Sequence, residues 1–380
     1  MTRLSRLIGG ALFFTALLIS VSAAKSAERA SPNDTARFLA GLQPSPQSPL
    51  AALAGEQDWL WHSQALDQAW SQADRGQLGR VRAWSNRYLP QKSPLMLYMF
   101  SGPDFLYANA FFSDATTYVL SGLEPVGALP DVTRLSARAR ATALQALRTP
   151  LQQILQYSYF ITKDMSQQLR ASKLTGTLPL LYVFLARTGK TIDEVSLVSL
   201  KSNGSVARRG KAAKGKANGV RIVFSSGGRQ RTLYYLRTDL SNAGLKKSGF
   251  RKFCRTLGPA DSLLKAASYL PHLDGFSLAR NFLLEQSVAI VQDDAGIPLR
   301  YFTPGTWSLR PFGAYYGPIP TFADKYQPEM EQLFAKGRTT PVDFGIGYRW
   351  PPKDTNILLA VKGSLAQPYE RRRQRRWRRR

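Results

Sequence analysis

The fold class is decided by residues 94–122, which read PLMLYMFSGPDFLYANAFFSDATTYVLSG. The segment begins with an apolar run of strand length, turns at SGPDF, continues with one or two helical turns of LYANAFF, and returns to β-rich composition at ATTYVLSG. Enough residues separate the two strands for a crossover, so we expect them to pair in parallel. Strands that are apolar throughout are typical of a sheet covered on both faces. The segment therefore predicts an α/β or mixed α+β fold, a sheet with helices packed on its faces.

The rest of the chain predicts one main domain, residues 56–365, with additions at both ends. The chain has 380 residues, 44% of them hydrophobic, so it can bury a large core. A helical N-terminal segment, 25–55, begins with a short helix capped near Ser31 and ends in a linker rich in proline and serine. The following helix carries an aromatic stripe that includes Trp59, which we interpret as core.

Two helices are predicted between residues 136 and 189. At TPLQ, Thr149 precedes Pro150 as an N-cap precedes the first helical position, so we expect a helix to restart there. The segment GTLPLLYVFLARTG is apolar on every side and too short to span a membrane. It predicts a buried helix that ends at Gly189.

The second half of the main domain alternates strands and helices. Strands flank a basic insertion, 201–219, which we expect to be disordered, and a hairpin turns at the Gly227-Gly228 pair. Helices are predicted in GPADSLLKAASYL and GFSLARNFLLEQ. A second hairpin is predicted in SVAIVQDDAGIPLRYF, with residues 293–296 as its turn, and a last strand at 356–361.

The N-terminus has the pattern of a secretory signal peptide, residues 1–24. Two arginines precede an apolar run, and small residues follow it in MTRLSRLIGGALFFTALLISVSAAKSA. The alternative is a retained anchor, although the run is shorter than the roughly 20 residues of a membrane span. The pattern predicts a periplasmic or secreted protein with no transmembrane helix in its mature form.

The positive charge is concentrated in two blocks. The net charge is +27 at pH 7, and the insertion supplies six cations between Lys201 and Lys216. The tail, 366–380, is predicted to be disordered and supplies eight arginines: Arg371, Arg372, Arg373, Arg375, Arg376, Arg378, Arg379 and Arg380. These arginines are candidates for binding an anionic polymer or a lipid surface. The alternative is a solvated block without a dedicated partner, and no nucleic-acid motif is present.

The familiar catalytic signatures are missing from the sequence. It has no G-x-S-x-G, no G-x-x-x-x-G-K-[ST] and no H-E-x-x-H, and nothing in it indicates a cofactor. Its single cysteine, Cys254, lies among cations, and we interpret it as a buried, inert thiol. Of its two histidines, His272 is a weak catalytic candidate, which we interpret as a local hydrogen-bonding residue.

Two carboxylates follow the first two predicted strands. Asp104 and Glu124 would lie at the edge of an α/β sheet where ligands bind, and could share acid and base work. The competing interpretation, which we favour, makes Asp104 the N-cap of the short helix and Glu124 a turn residue. Ser101, Gly102 and Asn109 accompany Asp104 as weak ligand-binding candidates.

A second pair of acids, Asp293 and Asp294, is a weak candidate for a metal site. Carboxylates are ligands that calcium prefers, but QDDAG lacks the alternating spacing of a calcium loop. A hairpin turn would also favour acidic residues at these positions.

Four blocks carry a resemblance: YMFSGPDFLYANAFF, YVLSGLEPVG, QDDAGIPLRYF and GYRWPPKDTNILLA. They resemble those of a family of uncharacterised secreted proteins of Gram-negative bacteria, over roughly residues 35–361. The resemblance implies export and no particular activity. The basic insertion and the arginine tail lie outside these blocks.

The sequence therefore predicts an exported cell-envelope protein that binds rather than reacts. Its basic segments would contact anionic envelope polymers or lipid. The alternative is a periplasmic hydrolase or metal-dependent enzyme that uses Asp104 and Glu124 at the strand ends. A DNA-binding function ranks third, because export removes the protein from nucleic acid.

Overall fold

The computed structural model describes residues 29–89, 93–159, 173–209, 217–336 and 339–363. The predicted signal peptide, the arginine tail and residues 210–216 of the basic insertion lie outside these ranges. Within them, no helix combines the length and apolar character that a bilayer crossing requires.

Ten strands form one mixed sheet, which confirms the predicted α/β class. They are β1 (Leu95–Tyr98), β2 (Thr117–Gly122), β3 (Thr191–Leu200), β4 (Val206–Arg208), β5 (Gly219–Ser226), β6 (Arg229–Arg237), β7 (Ala260–Leu264), β8 (Ser287–Gln292), β9 (Trp307–Gly313) and β10 (Asn356–Lys362). Their order is β4-β3-β5-β6-β2-β1-β7-β8-β10-β9. The middle five, β6 to β8 in that order, run parallel, and antiparallel pairs flank them.

The helices pack on both faces of this sheet. They are α1 (Pro32–Leu39), α2 (Gln57–Ala73), α3 (Gly79–Tyr88), α4 (Phe105–Phe111), α5 (Ala137–Tyr157), α6 (Leu178–Arg187), α7 (Asn242–Lys247), α8 (Phe250–Thr256), α9 (Ser277–Gln286) and α10 (Pro328–Lys336). A short π-helical turn, Asp74–Leu78, joins α2 to α3.

Strand β1 shows how the sheet separates two cores. Met96 and Tyr98 contribute to a first core, which also contains apolar residues of α1 to α6. Leu95 and Leu97 contribute to a second core, together with α7 to α9. Successive side chains of a strand point to opposite faces, so an entirely apolar strand satisfies both cores. This confirms the prediction of a sheet covered on both sides.

Several local predictions are confirmed. Strands β1 and β2 pair in parallel across α4, as residues 94–122 indicate. The Gly227-Gly228 pair joins β5 to β6, and its φ angles of 57° and 72° are those that a two-residue hairpin of this kind requires. The apolar helix α6 is buried along most of its length.

The predicted helix restart at Thr149 is wrong. Helix α5 is 21 residues long and runs through Pro150 without interruption. A proline inside a helix removes one backbone hydrogen bond and costs about 3 kcal/mol. Leu147, Leu151 and Ile154 are buried on both sides of Pro150, and we attribute the continuity of the helix to this packing.

Residues 260–264, predicted as helix, form strand β7. The run ADSLL is fully buried between β1 and β8, and its neighbours supply the hydrogen bonds that make it a strand. The predicted hairpin after β8 is also wrong, because β8 pairs with β7 and β10 rather than with the residues that follow it.

The basic insertion is partly ordered. Val206–Arg208 form β4, which pairs with β3, and the Asn218 side chain bonds to both backbone groups of Leu200. The prediction of disorder for 201–219 is therefore wrong for 201–209 and for 217–219. Sheet pairing supplies local order that composition alone does not indicate.

Candidate functional site

The carboxyl ends of four parallel strands, β6, β2, β1 and β7, surround a cavity of about 190 Å³, which we call the edge cavity. It is lined by residues from the segments 98–104, 122–124, 238–240 and 265–270, with Tyr159, Phe276 and Tyr348. The chain leaves β1 for α4 in the first core, whereas α9, which follows β7, lies in the second core. Parallel strands whose connections leave to opposite faces form a crevice, and ligands of α/β sheets bind there.

Asp104 is both a helix cap and part of the cavity wall. Its Oδ1 accepts a hydrogen bond from the Tyr107 backbone N–H at 3.0 Å, which confirms the predicted N-cap. Its Oδ2 accepts from the Tyr98 hydroxyl at 3.0 Å and lies 3.1 Å from Lys265 Nζ. Burial, followed by the Asp104 charge, raises the pKa of Tyr98 well above its ordinary value, so the phenol stays a donor. Both carboxylate oxygens of Asp104 therefore already have partners within the protein.

Lys265, which sequence reasoning missed, is the cation of the site. Its side chain is 1% exposed and lies directly after β7. Besides Asp104, its ammonium donates to the Ser158 carbonyl and lies 4.1 Å from the centre of the Tyr107 ring. These contacts tie the loop after β1, the end of α5 and the loop after β7 together. A lysine at a strand end is the signal that could have found it, but the sequence pattern predicts a helix for residues 260–264.

Glu124, the second carboxylate of the edge cavity, has fewer side-chain partners than Asp104. The Tyr235 hydroxyl donates to the Glu124 backbone carbonyl at 2.9 Å and lies 3.2 Å from Glu124 Oε2, and among the described residues no partner is seen for Oε1. Burial, together with this carboxylate, raises the pKa of Tyr235 well above its ordinary value. Gly122 permits this position, because a Cβ built there would lie 2.3 Å from Glu124 Oε2. The structure thus brings Asp104 and Glu124 to one cavity, with Glu124 available to a ligand.

Backbone strain is concentrated at the same place. In the described part of the chain, five non-glycine residues have positive φ: Phe100, Ser158, Ala266, Ser268 and Tyr269. Three of them line the edge cavity, the Ser158 carbonyl accepts from Lys265, and Tyr269 follows directly in the loop after β7. Such residues cost about 1–3 kcal/mol each and cluster at functional sites. The loops after β1 and β7 are therefore held in a conformation that their own sequence does not favour.

Asp293 and Asp294 hold the strained loop in place. Asp293 accepts hydrogen bonds from the backbone N–H groups of Ala266 and Ala295 at 2.8 and 3.0 Å, and Asp294 accepts from the Tyr269 hydroxyl at 2.6 Å. Burial, followed by the neighbouring Asp294, raises the pKa of Asp293 to about 7. Within the described ranges, no group of three or more His, Cys, Asp or Glu side chains is placed to hold a metal ion. The hydrogen bonds of the pair hold the loop after β7, and the pair does not lie in a hairpin turn.

Some of the other candidate residues line the edge cavity, and the rest lie elsewhere. Ser101 and Gly102 line the edge cavity, and the Ser101 hydroxyl donates to the Gly102 carbonyl at 2.9 Å. Asn109 is buried in α4 and does not line the cavity. His272 also lies outside it, its Nε2 is 3.2 Å from the Asp294 carbonyl, and burial lowers its pKa to about 4. Cys254 is buried in the second core, and burial raises its pKa, as an inert thiol requires.

No family of known proteins, no curated protein and no solved structure matches this chain. The resemblance to secreted Gram-negative proteins stays an expectation from the sequence.

Proposed function

We propose that the protein is an exported cell-envelope protein that binds one sugar ring in the edge cavity. The observation that carries this proposal is the charge of the cavity wall. Its cation, Lys265, is already engaged by Asp104, the Ser158 carbonyl and the Tyr107 ring. Glu124 and the exposed Asp239, whose Oδ1 also accepts from the Ser241 backbone N–H at 2.9 Å, add acceptors to the wall. Such a wall repels anions and favours a ligand rich in hydrogen-bond donors.

The size and apolar surface of the cavity support the same ligand. An engineered protein cavity of about 150 Å³ holds benzene, so about 190 Å³ suits one six-membered ring. Tyr159, Phe276 and Tyr348 contribute aromatic side chains to the wall. A sugar presents hydroxyl donors at its edge and C–H groups on its faces, which match carboxylates and aromatic rings respectively.

Exchange of Glu124 for glutamine tests this proposal. The variant keeps the shape of the side chain but loses a charged acceptor, whose hydrogen bonds contribute about 1.5–3 kcal/mol each. We expect the affinity for N-acetylglucosamine or glucose to fall about 10- to 100-fold in isothermal titration calorimetry. Glu329→Gln, at an exposed position of α10, is the matched control and should bind as the wild type does. Equal binding by the Glu124 variant, or tighter binding of an anion, would contradict the proposal.

A second candidate is a hydrolase that uses the same cavity. Asp104 and Glu124 line the same cavity after the ends of β1 and β2, and a strained loop lies beside them. This arrangement supports a catalytic function. Because Asp104 is fully engaged, it would position Lys265, while Glu124 would transfer the proton as general acid or base. The two functions differ in one measurement. A hydrolase releases product from a glycoside in the wild type and loses that activity in Glu124→Gln, whereas a binding protein releases none.

The basic segments support contact with an anionic envelope surface. Beyond the arginine tail and the insertion, five cations line one groove on α7 and α8: Lys246, Lys247, Arg251, Lys252 and Arg255. Among the described residues, the ion pairs of this groove are limited to Arg255 with Glu285, at 2.9 Å. Unpaired cations on one face attract phosphate-bearing surfaces.

Removal of the tail tests this contact. Each basic residue near an anionic membrane contributes about 1 kcal/mol, so a chain ending at residue 365 should bind phosphatidylglycerol vesicles at least tenfold more weakly. Binding of the full chain should also fall between about 0.05 M and about 0.5 M NaCl, because salt screens exposed charges. Vesicle co-sedimentation measures both effects, with phosphatidylcholine vesicles as the uncharged control. Binding that is insensitive to salt and to the tail would contradict the contact.

A further inference from the structure

A second depression lies between α2, α5 and the segment before β10. It encloses about 740 Å³, and we call it the glutamine groove. Its polar and aromatic lining consists of Gln68, Gln72, Gln77, Gln152, Gln156 and Trp350. The other lining residues are small or apolar, and none of the lining residues is charged.

An uncharged groove is unusual on this protein, whose net charge is +27. Both helices carry charges elsewhere, such as Asp58 and Asp67 on α2 and Arg148 on α5. Glutamine side chains offer donors and acceptors together and attract neither sign of charge. They therefore suit a neutral ligand that is rich in groups that both donate and accept, as sugar hydroxyls do.

Trp350 gives the groove a fixed aromatic surface. It packs closely on Gly345, because a Cβ built on that glycine would lie 1.8 Å from the Trp350 carbonyl oxygen and 2.8 Å from its ring. Gly345 in turn donates to Gln77 Oε1 at 3.1 Å and accepts from Gln77 Nε2. The indole is thus preorganised beside the amides, and sugar rings stack on such surfaces.

The walls of the glutamine groove and of the edge cavity are formed in part by the same two chain segments. Gln156 and Trp350 line the groove, while Tyr159 and Tyr348, three and two residues away in the chain, line the cavity. The Tyr159 and Tyr348 rings contact each other with their centres 5.2 Å apart. The same two chain segments therefore bound both depressions.

We propose that the glutamine groove binds a neutral oligosaccharide whose terminal ring enters the edge cavity. This inference rests on the proposed function, because it extends a one-ring site to a chain of rings. The groove is several times larger than the cavity, about 740 against about 190 Å³, so it has room for more than one further ring.

The test compares N-acetylglucosamine with its β-1,4-linked tetramer by isothermal titration calorimetry on the full mature chain. We expect the wild type to bind the tetramer at least tenfold more tightly than the single sugar. Trp350→Ala should reduce tetramer affinity about tenfold and leave the affinity for the single sugar unchanged. Trp61→Ala is the matched control, since Trp61 is 68% exposed on α2 and does not line the groove.

A second variant covers the case in which Trp350→Ala does not fold. The exposed side chains of Gln72 and Gln152 can be exchanged for alanine together, which removes two amides without disturbing the core. This double variant should also lose tetramer affinity selectively. Equal affinity of the wild type for tetramer and single sugar would overturn the inference, and so would Trp350-dependent binding that is tighter for an acidic oligosaccharide such as oligogalacturonate.

The same data separate the two proposals. If the single sugar binds through Glu124 and the tetramer binds no better, the groove inference fails and the cavity proposal stands. If the tetramer binds through Trp350 while Glu124→Gln changes nothing, the cavity proposal fails, and so does the entry of the terminal ring into the edge cavity, although the groove itself binds glycan.

Discussion

Replacing Lys265 by methionine is expected to lower the free energy of unfolding by about 3–5 kcal/mol. Methionine has an unbranched side chain of similar length to lysine, but it carries no charge. The carboxylate of Asp104, whose side chain is 3% exposed, is therefore left without its cation. The Ser158 carbonyl loses its donor as well. Removing one partner of a buried ion pair is strongly destabilising, because the other charge stays in a medium that solvates it poorly.

Urea denaturation of three further variants, Lys252→Met, Asp104→Asn and the double variant Asp104→Asn/Lys265→Met, shows how much of this loss is due to the ion pair. Lys252→Met, at an exposed position, is the matched control and should change the free energy of unfolding by less than about 0.5 kcal/mol. Asp104→Asn combined with Lys265→Met removes both charges, so the double variant should be more stable than the sum of the single losses indicates. A loss below about 1 kcal/mol for Lys265→Met, or strictly additive losses, would show that the pair does not hold the loops together.

Replacing Asp293 by asparagine is expected to change how stability depends on pH. The folded-state pKa of Asp293, about 7, is raised above the ordinary value of 3.8. Between these values the folded chain binds more protons than the unfolded chain, so this group lowers stability as the pH rises from about 4 to about 7. The stability of the wild type relative to Asp293→Asn should therefore fall as the pH rises across this window, with a slope of at most about 1.4 kcal/mol per pH unit, because the proton is shared between Asp293 and Asp294, whose pKa is also raised by burial.

The comparison with the variant is needed because two histidines change the pH dependence of stability in the opposite direction. Burial lowers the pKa values of His62 and His272 from 6.5 to about 4, so their contributions to stability are lost as the pH falls through that window. These contributions are common to wild type and variant and cancel in the difference. Asp343→Asn, at an exposed position, is the control and should give a constant difference. A constant difference for Asp293→Asn would mean that its carboxyl ionises normally in the fold.

The sheet is predictable where local pattern and tertiary environment agree. Residues 94–122 contain two apolar strands and a capped helix, and each has its expected structure. Residues 260–264 are different, because a short apolar run suits a buried strand or a buried helix equally. Its state is set by β1 and β8, which lie on either side of it and belong to distant parts of the chain.

Some residues of the edge cavity can be predicted from the sequence and others cannot, for the same reason. Asp104 and Glu124 could be found because they follow correctly predicted strands. Lys265 could not, since the strand that positions it was read as helix. Asp293 and Asp294 were read as turn residues, and their burial depends on contacts with the loop after β7. The glutamine groove joins two helices and a segment more than a hundred residues away, so only the tertiary structure reveals it.

A crystal structure of residues 25–380 with N-acetylglucosamine tests the central claim most directly. The account places the sugar ring in the edge cavity, with a hydroxyl within about 3.2 Å of a Glu124 carboxylate oxygen and a ring face against an aromatic side chain. It also requires that the Asp104–Lys265 pair remain intact beneath the ligand. A cavity that contains only solvent, with the sugar absent or bound elsewhere, would contradict the account.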